Sequence, residues 1–197
     1  MIDAALEYAR SIFETDASGH DFDHTLRVYR MAVRIAQEEG ADVKTVALAA
    51  LLHDVDDRKL SPETYERKER AVSFLRGQGL EETEIDRIIQ VISEISFSAG
   101  NGRPSTVEGI CVQDADRLDA LGAIGIGRAF AFGGSRGRRM HDPEGQDKES
   151  TIQHFYDKLL LLKDRMNTAT GKKLAARRDA VLRDFLEEFY AEWDGRF

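Results

Sequence analysis

The run "AALLHDVDD", residues 49–57, carries four apolar residues into a histidine and then sets three aspartates in the next four positions. On a helix His53 lies over Val46, Ala49 and Ala50, and Asp54, about 100° further round the axis, lies over Ala47, Ala50 and Leu51. Both sit at the edge of an apolar stripe, where a bare carboxylate is unfavourable unless hydrogen-bonded or facing a cation. A divalent metal would supply that cation, and the carbonyls of a helix C-terminus would favour it further. Alone, the pair also fits a satisfied core histidine next to a helix-end acid. Two other stretches supply company. His24, in "FDHTLRVYRMAVRIA", shares a stripe with Val28, Met31 and Ile35, and "VQDADRLDALG" sets Asp116 and Asp119 on one face with Val112. Histidines and aspartates drawn from three helices make a mixed nitrogen and oxygen site for a divalent transition metal.

The elements that would position these residues read as helices throughout, and the expected fold class is all-α. Amphipathic spacing predicts helices over 2–14 and over 22–39, the latter closing at Gly40, and a third over 42–55. Ser61 as N-cap with Pro62 at the first helical position predicts another, ending near Gly77. Ile85, Ile88, Ile89, Ile92 and Ile95 mark the buried face of a helix over 81–96; further helices are predicted over 107–121, 122–131, 151–166 and 172–193. There is no internal repeat or change of composition, so residues 1–197 are expected to form a single domain. Two stretches read as irregular, 96–109 and 133–150. The second carries Arg136, Arg138 and Arg139, with glycines at 133, 134, 137 and 145, and is expected to be a mobile segment, either plain surface or a lid over substrate phosphates.

Composition narrows the function classes. With 42% hydrophobic and 32% charged residues over 197 positions, the chain is a soluble globular type. The first twenty residues carry acids and helical periodicity where a signal peptide would have a basic start, and no apolar run reaches the length of a membrane span, so a cytoplasmic location and no membrane partner are expected. The single cysteine, Cys111, is too few for an internal disulfide or a thiolate zinc site. A net charge of −8 argues against nucleic-acid polymers as partners and leaves open a small anion held by a metal.

The ordered set His24, His53-Asp54 and Asp116 resembles the HD-domain superfamily of metal-dependent phosphohydrolases. The blocks "GHDFDHTLRV", "ALLHDVDD", "DADRLDALGAIGIGRAFAFGG" and "HFYDKLLLLKDRMNT" are similar, over nearly the whole chain, to small bacterial single-domain HD hydrolases implicated in nucleotide pyrophosphohydrolysis. The resemblance implies a helical bundle of about eight to ten helices and a metal held by His24, His53, Asp54 and Asp116. His24 fits the first ligand better than His20, which then borders the pocket, and Asp116 fits the last better than Asp114 or Asp119. Asp57 falls where many of these enzymes keep an acid that handles a proton of the attacking water. His141 and His154 do not match the histidines of two-metal branches, so one ion is implied, manganese first, with magnesium, iron, cobalt or nickel compatible.

The chemistry that follows is attack of a metal-bound hydroxide on phosphorus, with Asp54 or Asp57 as proton acceptor. Lys59, Arg117, Lys158 and the loop arginines are the candidate cations for the phosphates, alongside His20. The expected reaction is (d)NTP to (d)NMP plus pyrophosphate, by a monomer or homodimer acting on a small phosphate substrate. The alternatives are hydrolysis of another phosphate ester, such as a cyclic nucleotide, an alarmone or a nucleoside monophosphate, and a non-catalytic module that binds metal or nucleotide. Intact ligand positions weigh against the last.

Overall fold

The computed structural model describes residues 1–13, 21–57, 61–95 and 102–196. Among them are nine α-helices and no strand: α1 (Ile2–Phe13), α2 (Phe22–Glu39), α3 (Val43–Leu52), α4 (Glu69–Gly77), α5 (Glu82–Ile95), α6 (Val107–Asp119), α7 (Gly122–Ser135), α8 (Thr151–Asp157) and α9 (Ala169–Trp193). The fold is all-α, and the helix number lies inside the expected range. The chain divides into two compact units, Met1–Asp116 and Arg117–Phe197.

In the first unit α3 is the central element. Every residue from Val46 to Leu52 is buried, so this helix is apolar all round, as a helix enclosed by α1, α2 and α5 must be. Asp42 caps its start, accepting from the Lys44 amide at 3.0 Å and the Thr45 hydroxyl at 2.7 Å. Gly40 closes α2 in the left-handed region at φ 71, and the Ala41 amide returns to Ala36 O at 3.0 Å. The isoleucine stripe of α5 is inward, with Ile85, Ile88, Ile92 and Ile95 buried and Ile89 at the margin.

The helix expected to start at Ser61 starts at Glu69 instead. Ser61 is buried with its hydroxyl donating to Val55 O, and residues 62–68 are turns.

The second unit gathers Phe130, Phe155, Phe185 and Phe189 into one aromatic cluster. Gly133 is needed here because a Cβ would come within 2.2 Å of Thr151 Oγ1, so α7 lies directly against the start of α8. The helix predicted over 151–166 breaks at Lys158 (φ −137, ψ −59). Short 3₁₀ turns follow at Leu159–Leu161 and Lys163–Arg165 and bury Leu159 and Leu162, three residues apart on one edge. α9 starts at Ala169, three residues earlier than predicted, because Thr168 caps it through the Gly171 amide at 2.8 Å.

Candidate metal centre

His24 stands in the first turn of α2, where Asp21 caps the helix by accepting from the His24 backbone amide at 2.6 Å. The periodicity of α2 then turns the imidazole inward. His53 closes α3 with its backbone still helical, and its Nδ1 lies 2.8 Å from Ala50 O. A carbonyl only accepts, so Nδ1 carries the hydrogen and the lone pair of the neutral ring sits at Nε2. That Nε2 is buried, has no hydrogen-bond partner, and lies 3.2 Å from Asp54 Oδ2. A lone pair held against a carboxylate oxygen is repulsive unless a proton or a metal lies between them.

The remaining distances fit a metal. Asp54 Oδ2 is 3.6 Å from His24 Nε2, and Asp116 Oδ1, from α6, is 3.5 Å from the same nitrogen. Two donors each about 2.1 Å from one ion and roughly 90° to 110° apart stand about 3.0 to 3.4 Å from each other, close to the separations seen. Among the described residues, the cluster of donors able to hold an ion is His24, His53 and Asp54, with donor atoms all within 4.8 Å of one another. Asp116 closes the group from a more open side. Its side chain is 35% exposed against 14% for Asp54, 6% for His53 and 3% for His24. Asp116 is thus the donor most open to solvent.

Electrostatics agree with the geometry. Burial alone would push the His53 imidazolium down, but Asp54, and beyond it Asp116, outweigh burial and the opposing His24, and hold the ring above the ordinary histidine value. The site demands positive charge.

The other residues read from the sequence fall as follows. His20 and Lys59 lie outside the described residues. Asp57 is half-buried in the turn after Asp54, its amide donating to Asp54 O at 2.9 Å. Arg117 donates to Arg165 O, and Lys158 is the half-buried residue at which α8 stops. Asp119 is buried and ion-paired to Arg128 at 2.7 Å. His141 packs edge-on against Phe189, Tyr190 and Trp193, and His154 is held below the ordinary value by burial and then by Lys158 and Arg138.

Segment 133–150 is more built than expected. Its first three residues complete α7, and the rest folds round the buried Asp142 carboxylate, which accepts from the Gln146 and Asp147 amides at 2.8 and 2.7 Å and from Arg139 at 3.1 Å. Arg136 and Arg138 each lie 5.5 Å from the centre of the Phe132 ring.

Residues 21–121, which span all four of these ligand candidates, match the sequence model of the HD domain. The chain belongs to the HD domain family. Its HD relatives include the uncharacterized protein YpgQ of Bacillus subtilis (strain 168), 39% identical over 197 residues that cover 95% of this chain and 91% of YpgQ. The crystal structure of YpgQ in complex with ADP matches with a TM-score of 0.84 and 37% identity, covering 98% of this chain and 97% of that one. An HD-superfamily hydrolase of Bacillus thuringiensis matches with a TM-score of 0.83 and 40% identity over 98% of this chain and 96% of the other. These likenesses support a metal-dependent hydrolase. No helix of the described residues is long and apolar enough to cross a membrane.

Proposed function

We propose that this HD chain hydrolyses nucleotides with the help of one divalent ion, manganese first, converting a (d)NTP to the (d)NMP and pyrophosphate. The observation that carries the reading is the buried lone pair of His53 Nε2 facing Asp54 Oδ2, with His24 and Asp116 completing the ring of donors. Support for a nucleotide comes from YpgQ, whose structure holds ADP.

When bound, a divalent ion acidifies water and polarises a phosphoryl oxygen. The chain's own residues divide the remaining work. The Ala50 carbonyl fixes the tautomer of His53 so that Nε2 offers its lone pair inward. His24 and His53, both buried, keep bulk solvent from the inner side, while Asp116 leaves the outer side open for a phosphate. Asp57, one turn beyond Asp54, takes a proton from the water as its oxygen bonds to the α-phosphorus, and Asp54 is its alternate. The bond between that phosphorus and the bridging oxygen breaks, and pyrophosphate leaves with the electron pair. Lys59, Arg117, Lys158 and His20 are the residues proposed to meet the phosphates.

The test is turnover of nucleoside mono-, di- and triphosphates with added Mn²⁺ in ¹⁸O-labelled water. Label in the monophosphate, with unlabelled pyrophosphate, is the expected result. Release of inorganic phosphate, or turnover only of cyclic or monophosphate esters, would replace this reaction by another phosphate-ester hydrolysis.

A further inference from the structure

The turn that carries two of the four metal-binding side chains is tied to the rest of the first unit by a residue so far without a role. Asp56 is 1% exposed, and its two carboxylate oxygens accept from the backbone amides of Arg70, at 3.2 Å, and Ala71, at 3.0 Å. These are the second and third residues of α4, the two amides that an N-cap side chain ordinarily satisfies. The local N-cap, Lys68, makes no such bond. It sits in the left-handed region (φ 51, ψ 41), is 6% exposed, and lays its ammonium 3.9 Å from the centre of the Tyr65 ring. A non-glycine residue held there is strained by roughly 1–2 kcal/mol, and such strain persists only where the surroundings impose it. Asp56 caps α4 from fourteen residues away in the chain, and the charge of the carboxylate is matched by the positive end of the helix.

We propose that Asp56 is a positioning residue for the metal site: by binding the α4 N-terminus it fixes the turn 53–57 in which His53 and Asp54 stand. Only one residue separates Asp56 from Asp54, so a carboxylate immobilised at 56 leaves the Asp54 side chain little freedom. Other bonds also tie the turn. It has its own bonds from Val55 N to Leu52 O at 3.3 Å and from Asp57 N to Asp54 O at 2.9 Å, and two to Ser61, whose hydroxyl reaches Val55 O at 3.3 Å and whose amide reaches Asp57 O at 2.8 Å. All of these use backbone atoms and neutral donors. The Asp56 bonds are charge-assisted and reach a separate helix, α4. The sequence "HDVDD" thus divides its acids, with Asp54 facing the ion and Asp56 holding the frame.

This inference rests on the reading of His53 and Asp54 as metal ligands, and the experiment separates the two. Mn²⁺ affinity of the full chain is measured by the signal of free ion, and the visible spectrum of the Co²⁺-loaded protein is recorded, for wild type, Asp56→Ala, Asp56→Asn and Leu75→Ala, all at a temperature where circular dichroism shows the fold intact. Leu75 is a fully buried residue of α4, four residues beyond Ala71, the last amide that Asp56 holds, and its truncation loosens the helix while leaving the Asp56 carboxylate in place. Asp56→Ala is expected to weaken Mn²⁺ binding by roughly 10–100-fold, the range found when groups supporting metal ligands are removed, and to alter the Co²⁺ spectrum. Asp56→Asn, which keeps one acceptor, falls between, and carries the test if the alanine variant does not fold. Leu75→Ala is expected to lower thermal stability while leaving affinity within about threefold of wild type. Affinity of Asp56→Asn and Asp56→Ala equal to wild type, or a loss in Leu75→Ala as large as theirs, overturns the positioning role. No Mn²⁺ binding by the wild type overturns the metal reading itself.

Discussion

Acidification should strip the ion from this site, and His53 sets where the loss begins. Without metal, Asp54 and Asp116 keep a proton on His53 Nε2 despite burial, so its pKa lies above the ordinary 6.5. An incoming ion must displace that proton. Above the raised value the ring is neutral and affinity is flat; below it, each pH unit weakens apparent affinity about tenfold, or about 1.4 kcal/mol, for each proton displaced. The interval from pH 6 to 5 lies wholly below, so displacing this one proton should weaken binding by nearly tenfold across it. The metal-free fold shows the opposite linkage, because the same proton stabilises it below pH 6.5 and that contribution is lost as pH rises through the raised value. Asp54→Asn gives the sharper result. It removes the largest upward influence on the ring and leaves burial to push it down, so the pH at which affinity starts to fall should move lower, even as affinity drops throughout from loss of an anionic donor. The assay is Mn²⁺ binding from pH 5 to 8, with proton release measured by calorimetry in two buffers of different ionisation enthalpy. A wild-type slope under half a decade per pH unit between 6 and 5, or an unmoved onset in Asp54→Asn, would refute the reasoning.

Three further outcomes are expected. Asp57→Asn should lower turnover by roughly 10²-fold with metal content unchanged; normal turnover in that variant transfers proton acceptance to Asp54 alone. Asp119→Ala should leave a half-buried Arg128 guanidinium without its carboxylate. Because that guanidinium keeps 30% of its exposure, the loss should be about 2 kcal/mol, under the value for a fully enclosed pair, and should appear as a melting temperature lower by roughly 4–8 °C. Replacing Arg136, Arg138 and Arg139 together by Ala should raise KM for a triphosphate more than for p-nitrophenyl phosphate and, through loss of the Arg139 bond to Asp142, speed amide exchange at Gln146 and Asp147; equal effects on both substrates would leave these arginines a purely structural part.

The division of the acids in this chain shows what a linear reading reaches and where it stops. His24, His53 and Asp54 stand out in the sequence because each breaks an apolar helical stripe, while Asp116 is singled out from Asp114 and Asp119 by the resemblance to HD domains; the structure sets Asp54 and Asp116 each beside His24, and His53 beside Asp54. The bounds of α2 were legible for a related reason, since its stop at Gly40 is a local signal. Asp56 carried no such mark. Its partners are the amides of Arg70 and Ala71, and a cap supplied from a distant turn leaves no pattern in the residues that precede the helix. The same gap misassigned Ser61. A serine followed by proline has the form of a helix start, yet the amides of α4 were already satisfied by Asp56, and the serine hydroxyl was used to fasten Val55. Arg136, Arg138 and Arg139 read as plain surface or a lid, and the sequence does not show their local partners, since Phe132 and Asp142, at positions on either side, lie against the guanidiniums. What escapes in each case is a polar group whose partner is set by tertiary packing. Asp119 and Asp142 are therefore acids whose loss should be felt first in ordering and stability, whereas loss of Asp54 should be felt directly in the ion and loss of Asp56 in the ion through the turn it holds.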